Sequence, residues 1–191
     1  MKKLFNPFET GSEKNLILSG LAALTAGSWI GSLFKGRFDG IIDLHFAESA
    51  TFFRVLSDNL INTALLTLCL YLLGRYINSK TRIIDVLSTA LIARIPFYVL
   101  PFFNLNNQID QAGQHILVIA SDQEAKDFLF SDIIIILVFA VFALLALVWF
   151  AFLSWNGFKT ATNAKEKRHI LYFIIVLFMA EFLSKIIFSL I

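Results

Sequence analysis

IIIILVFAVFALLALVWFAFL fills residues 133–153 and contains no charged side chain. An α-helix of this length is about 30 Å long, which matches the hydrocarbon core of a bilayer. The stretch therefore predicts a transmembrane helix. Four more apolar segments accompany it, and together they predict five spans at about residues 16–34, 56–74, 83–103, 131–154 and 170–190.

The composition supports a membrane protein with one domain. Of the 191 residues, 58% are hydrophobic and only 16% are charged, whereas soluble domains carry about 25% charged residues. Five spans leave only short connections, so we predict a single integral membrane domain over residues 1–191. The net charge of +2 is too small to indicate a nucleic-acid partner. The expected surroundings are the lipid bilayer.

Positive charge alternates between the two sides of the predicted spans. The N-terminal tail and the second and fourth connections carry three, three and four Lys or Arg residues, whereas the first and third connections carry three and one. Because cytoplasmic loops carry the Lys and Arg excess, we expect a cytoplasmic N-terminus and an extracytoplasmic C-terminus. The predicted location is the inner (plasma) membrane.

Two charges fall at the same estimated depth in the third and fifth spans. Arg94 and Glu181 each lie roughly 16 Å from the inner end of their span. A charge at mid-bilayer is costly, so we predict that the two side chains form an ion pair. Lys185 can share Glu181, one helical turn earlier, or reach towards Asp132 at the outer end of the fourth span. The cluster is either a structural ion-pair network or an ion or proton relay.

The third span carries two further unusual features. Pro96 and Pro101 lie inside it, and proline removes a backbone hydrogen bond and kinks a helix. We therefore predict a kinked third helix. Asp85 shares a helix face with Arg82 near the inner end of the span, where a local ion pair is expected.

A stripe of small residues runs along the first span. Ser19, Ala23, Gly27 and Gly31 follow one another at intervals of four. Small residues let two helix backbones approach closely in lipid. The stripe is expected to serve packing within the bundle, with dimerisation as the alternative.

The connections on the outer side contain β-prone stretches. Residues 38–41 include Asp-Gly, a turn signal, and apolar and polar residues then alternate over residues 42–46. Residues 115–120 form another β-prone run, so we predict an extracytoplasmic sheet of two or three strands. A metal site of Asp43, His45 and His115 is the less favoured alternative to a solvated strand face, since no recognised ligand spacing is present. The predicted fold class is thus an all-α, five-helix membrane bundle with a small extracytoplasmic β element.

The chain resembles the bacterial branch of the Yip family, small membrane proteins named in eukaryotes for interacting with Ypt/Rab GTPases. The residues that carry the resemblance are Leu73-Gly74-Arg75-Tyr76-Ile77, Ile84-Asp85-Val86-Leu87, Ala93-Arg94-Ile95-Pro96, Pro101 and Phe5-Asn6-Pro7-Phe8. The Asp-Leu-Tyr-Gly-Pro motif of eukaryotic members is missing, and its nearest match, residues 43–45, lies outside in the predicted topology. No GTPase-contacting residue is therefore carried over. The resemblance implies a role in membrane organisation or partner binding.

The sequence contains no glycine-rich phosphate loop, no HExxH and no GxSxG. An enzyme is therefore the least favoured class, and no cofactor is expected. The predicted function is a non-enzymatic scaffold that binds a membrane-protein partner or a second copy of itself. The alternative is a small transporter or channel that uses Arg94 and Glu181.

Overall fold

The computed structural model describes residues 6–121 and 130–190. Within these ranges, almost all regular structure is helical. In chain order the elements are a 3-10 turn (Pro7–Glu9), α1 (Glu13–Leu33), β1 (Gly36–Arg37), β2 (His45–Phe46), α2 (Phe52–Ile77), α3 (Ile83–Ala93), a 3-10 segment (Ile95–Asn107), α4 (Gln108–Ser121), α5 (Phe130–Thr162) and α6 (Lys167–Ser189).

Five helical segments in the described ranges are long and apolar enough to cross a membrane, as predicted. They are Glu13–Leu33, Phe52–Ile77, Ile83–Leu117, Phe130–Thr162 and Lys167–Ser189. The third segment is the central one, since 67% of its apolar stretch is buried, against 11% for the fourth. α3 packs against α1, α2 and α5, while α6 packs mainly on α2. The exposed apolar surfaces of α5 and α6 therefore suit contact with lipid.

The third span is broken into three pieces, and proline explains the first break. Pro96 has no N–H, and its ring would clash with the carbonyl oxygen four residues earlier in a continuous α-helix. The α-helix accordingly ends at Ala93, and the chain continues as the 3-10 segment that also contains Pro101. The predicted kink is thus a change of helix type that begins just ahead of Pro96.

The expected strand at residues 115–120 is wrong, because these residues belong to α4. Buried Asn104 supplies the reason. Its Oδ1 accepts hydrogen bonds from the backbone N–H groups of Ile109 (3.1 Å) and Asp110 (3.3 Å), and its Nδ2 donates to the carbonyl oxygen of Phe34 (2.9 Å). This cap starts a helix whose Ala112 is buried. Tertiary packing therefore overrides the local β preference.

The predicted β element is present in the α1–α2 loop, residues 34–51, as two very short strands. β1 and β2 pair antiparallel, with Gly36 opposite Phe46 and Arg37 opposite His45. The expected tight Asp-Gly turn is wrong, since the strands are joined by residues 38–44 and no glycine in the described ranges has positive φ. Phe38 and Ile41 are each only 1% exposed. The loop between the strands thus turns inward and packs among the helices.

The small-residue stripe of α1 is only partly placed as expected. Gly27 and Gly31 face the bundle, Ala23 is half-buried, and Ser19 is exposed. The physical reason is that a spacing of four advances about 40° further than one helical turn at each step, so the stripe drifts away from the packed face. Gly20, at the same end of α1 as Ser19, is buried instead, and a Cβ there would lie 2.6 Å from the Cβ of Leu91.

Gly27 and Gly31 make room for two different neighbours. A Cβ on Gly27 would overlap the Tyr98 ring, and one on Gly31 would lie 2.8 Å from the carbonyl oxygen of Gly36 and 2.9 Å from Cγ1 of Val55. The two glycines therefore let the 3-10 segment and the α1–α2 loop approach the α1 backbone closely.

The first prediction concerns this face of α1. Gly27→Leu forces a side chain into the Tyr98 ring, so we expect a loss of about 1–3 kcal/mol of stability, measured as a lower thermal unfolding temperature in detergent. Ser19→Leu is the matched control, because this position is exposed on the same helix. Equal effects of the two substitutions would contradict the assigned packing face.

Candidate functional site

The side chain of Arg94 lies at the centre of a buried polar cluster. It is 0% exposed. Nη1 donates a hydrogen bond to the carbonyl oxygen of Ile41 (2.6 Å), and Nη2 donates to Oδ1 of Asn59 (3.0 Å). Asn59 in turn donates through Nδ2 to Oγ of Ser28 (3.0 Å). The guanidinium thus joins α2 and the α1–α2 loop at the point where α3 ends.

Glu181 on α6 binds the same loop at the next backbone N–H, that of Ile42. Its Oε2 accepts a hydrogen bond from the backbone N–H of Ile42 (3.0 Å). The carbonyl of Ile41 and the N–H of Ile42 belong to one planar peptide group. Arg94 therefore binds the negative end of this group and Glu181 binds its positive end. We call this group, between Ile41 and Ile42, the bridging peptide.

The predicted direct ion pair between Arg94 and Glu181 is therefore wrong. Both residues are described, and the ion pairs among the described residues do not include this one. The two helices do present the charges towards a common point, but the bridging peptide occupies it. The estimated depth of the two residues in their spans correctly predicted that the charges lie near one another. It could not predict that a loop enters between them.

Gly40 is required beside the bridging peptide. A Cβ at this position would lie 2.5 Å from Oε1 of Glu181 and 2.8 Å from Cβ of Asp43. Its φ is negative, so the requirement is one of space and not of backbone conformation. Phe38, two residues earlier, packs edge-on against the ring of Tyr98, with ring centroids 5.7 Å apart.

Two further contacts with α2 hold the loop. The carbonyl oxygen of Phe38 accepts a hydrogen bond from Nδ2 of Asn62 (2.6 Å). Arg37 forms a bidentate ion pair with Asp58, with both N–O distances at 2.9 Å and the Asp58 side chain 4% exposed. The hydrogen bond with Asp58 raises the pKa of Arg37 above its ordinary value. Irregular backbone among membrane helices needs partners for its polar groups, and Asn62 supplies one for the carbonyl of Phe38.

Lys185 binds the loop from α6, and its expected partners were wrong. It forms ion pairs with Asp43 and, at 3.7 Å, with Asp39, instead of pairing with Glu181 or Asp132. Nδ1 of His45 lies 2.8 Å from Oδ1 of Asp39. Burial raises the pKa of Asp39, but contact with His45 and the charge of Lys185 lower it by more, so the pKa lies below its ordinary value.

Asp132 and Asp85 lie in separate contacts, so the predicted polar cluster is not a single group. Oδ2 of Asp132 is 3.0 Å from Nδ1 of His115, which links α4 with α5. Asp85 lies 3.7 Å from Nε of Arg82, the local pair expected from the sequence, and Arg82 also pairs with Glu13. The predicted cluster thus divides into four sets of contacts, and only the set at the bridging peptide includes Arg94.

The alternative metal site is not supported by the described residues. His45 pairs with Asp39, and His115 pairs with Asp132. Within the described ranges, no three His, Cys, Asp or Glu side chains are grouped so that they could hold a metal ion.

Sequence reasoning missed Asn59 and the bridging peptide. Asn59 is fully buried, as is Asn62 one turn later. Two amides three residues apart in an otherwise apolar helix share one face, and this was the available signal. No sequence signal marks a main-chain peptide as the partner of Arg94.

Comparisons with known proteins identify no relative of this chain. No protein-family model, no curated protein and no solved structure matches the chain.

The second prediction separates a bridging peptide from a direct ion pair. We expect Arg94→Glu and Glu181→Arg each to cost at least about 1–3 kcal/mol, because each leaves one end of the bridging peptide unsatisfied and puts two like charges beside it. The exchanged double variant should not recover, because its carboxylate would face the Ile41 carbonyl and its guanidinium the Ile42 N–H. Thermal unfolding in detergent and the yield of folded protein measure this. Recovery in the exchanged variant would indicate a direct pair.

A milder comparison keeps the test usable if the charge variants fail to fold. Glu181→Gln retains an oxygen that can accept from Ile42, whereas Glu181→Leu does not. Because hydrogen bonds to charged groups are roughly twice as strong as neutral ones, we expect stability in the order Glu181, Gln, Leu.

Proposed function

We propose that this protein is a non-enzymatic, multi-pass membrane scaffold that binds a partner transmembrane helix along the outward face of α1. The observation that carries the proposal is the state of the buried charges. Arg94 is 0% exposed and is bonded to the α1–α2 loop and to Asn59. A buried guanidinium whose Nη1 and Nη2 are both held by the protein itself suits a rigid platform.

The binding face is a groove along α1. It is a shallow, open groove of about 710 Å³, lined by Ala22, Thr25, Ala26, Trp29, Ser32 and Phe52. The α1 residues recur at intervals of three and four, so they form one helix face. Small residues on a lipid-facing helix allow a second helix backbone to approach closely. A transmembrane helix of another protein, or of a second copy, fits this chemistry.

The resemblance to the Yip family is consistent with this role. It rests on short sequence motifs around residues 73–101 and on the five-span layout. We propose on this basis that the chain acts in membrane organisation. The charge asymmetry supports an N-terminus in the cytoplasm and an inner-membrane location.

The transporter or channel alternative has less support. A relay through Arg94 requires water or a polar substrate to reach the guanidinium. With no exposed surface on Arg94, no water-sized space touches it in this conformation. Glu181 is half-buried and is engaged by the N–H of Ile42.

The third prediction tests the partner-binding face. A photo-crosslinking amino acid at Ala22 or Ala26 should form an adduct in native membranes with one defined transmembrane segment, identified by mass spectrometry. The matched control is Phe178, which is 68% exposed on α6 and should crosslink only to lipid. Crosslinking to lipid alone at all three positions would refute the proposed face.

The fourth prediction tests orientation and the dry interior together. In a Cys69→Ala background, a membrane-impermeant maleimide applied to sealed spheroplasts should label Ser49→Cys in the α1–α2 loop. It should label Ser79→Cys, in the exposed α2–α3 loop, only after permeabilisation. The reverse pattern would invert the proposed orientation.

Ser184 supplies the interior position for the same experiment. It is 0% exposed and lies one turn after Glu181 on α6. Ser184→Cys should react only after the protein is unfolded in SDS. Labelling of the folded protein would indicate an aqueous path and favour the transporter alternative.

A further inference from the structure

A second pocket opens where α2 begins and α6 ends. Its volume is about 430 Å³, and its lining includes Arg37, Phe53, Arg54, Ser57 and Phe188. Phe53 and Arg54 are the second and third residues of α2, and Phe188 is the penultimate residue of α6. The pocket therefore lies where two spans reach the interface between the hydrocarbon core and the headgroups.

The pocket carries one positive charge that no described residue neutralises. Arg37 and Asp58, which both line it, neutralise each other through two 2.9 Å contacts. Arg54 is exposed and forms neither an ion pair nor a side-chain hydrogen bond with any residue in the described ranges. Glu48, the carboxylate that precedes Arg54 in the chain, is bound by Lys35.

One further free donor and two aromatic side chains complete the pocket. Arg37 bonds Asp58 through Nε and Nη2, and its Nη1 donates no hydrogen bond within the described part of the chain. Ser57 is not a further donor, because its single hydroxyl hydrogen is already donated to the carbonyl oxygen of Phe53 (2.9 Å). Phe53, which is 78% exposed, and Phe188 supply aromatic walls on the lipid side.

We propose that this pocket binds one anionic phospholipid, with its phosphate at Arg54 and Nη1 of Arg37 and an acyl chain along Phe188. A basic residue beside aromatic side chains at the end of a span matches an anionic headgroup joined to an apolar chain. The unpaired Arg54 makes a neutral or zwitterionic lipid a poorer occupant. This lipid site is lined by different residues from the partner-binding face on α1.

Native mass spectrometry of the full chain in a non-ionic detergent tests the site. The protein is mixed with equal amounts of phosphatidylglycerol and phosphatidylcholine of the same acyl chains. We expect wild type to retain phosphatidylglycerol preferentially and Arg54→Gln to reduce that preference about five-fold, the effect of one basic residue near an anionic surface. An unchanged preference in Arg54→Gln would overturn the proposal.

Two controls locate the effect. Arg75→Gln removes the same charge from the other end of α2, where the guanidinium donates to the carbonyl oxygen of Ser79 (2.6 Å), and should leave the preference unchanged. Ser57→Phe fills the pocket without altering charge and should reduce retention of phosphatidylglycerol. Equal losses in Arg54→Gln and Arg75→Gln would indicate general charge attraction and refute the pocket.

A competition experiment distinguishes a phospholipid headgroup from free inorganic phosphate as the bound anion. Excess inorganic phosphate should not displace the bound phospholipid, because it cannot replace the acyl contact with Phe188. Displacement would show that the pocket binds a free anion and would refute the lipid assignment. Since Arg54 is exposed and unpaired, Arg54→Gln should keep the wild-type thermal unfolding temperature.

Discussion

One peptide group, held between two charged side chains, organises the bundle around the α1–α2 loop. The guanidinium of Arg94 binds the carbonyl of Ile41, and the carboxylate of Glu181 binds the N–H of Ile42. Each charged hydrogen bond contributes about 1.5–3 kcal/mol. Removing either side chain also leaves one end of the peptide group without its partner, and a buried group left unsatisfied costs about 1–3 kcal/mol. The loop thus supplies a hydrogen-bond partner to each of the two charged side chains.

Several unusual features of the sequence make room for that loop. Gly31 allows the carbonyl of Gly36 to lie against α1, and Gly40 leaves space for Glu181. The 3-10 segment brings Pro101 against Gly36, where a Cβ would be 3.0 Å from Cγ of the proline. Ending α3 at Ala93 also makes Arg94 the residue that caps this helix, at the point where the loop approaches it.

The spans were predictable because they depend on local composition, and the contacts of the loop were not. Hydropathy located all five spans, and Pro96 marked where the α-helix ends. The partner of Arg94 could not be predicted because it is a main-chain carbonyl from a loop 53 residues away in sequence. The helical state of residues 115–120 depends on Asn104, whose side chain caps α4 from outside the β-prone run. In both cases the deciding contact comes from a residue outside the segment whose pattern was read.

Amide hydrogen exchange at Ile42 tests the central claim most directly. If Glu181 accepts a hydrogen bond from this N–H inside the bundle, the amide of Ile42 should exchange as slowly as buried amides of α2, although it lies in a loop. Glu181→Leu should accelerate exchange at Ile42 far more than exchange within α2. Fast exchange at Ile42 in the wild-type protein would contradict the account, because the loop would then not be held between Arg94 and Glu181.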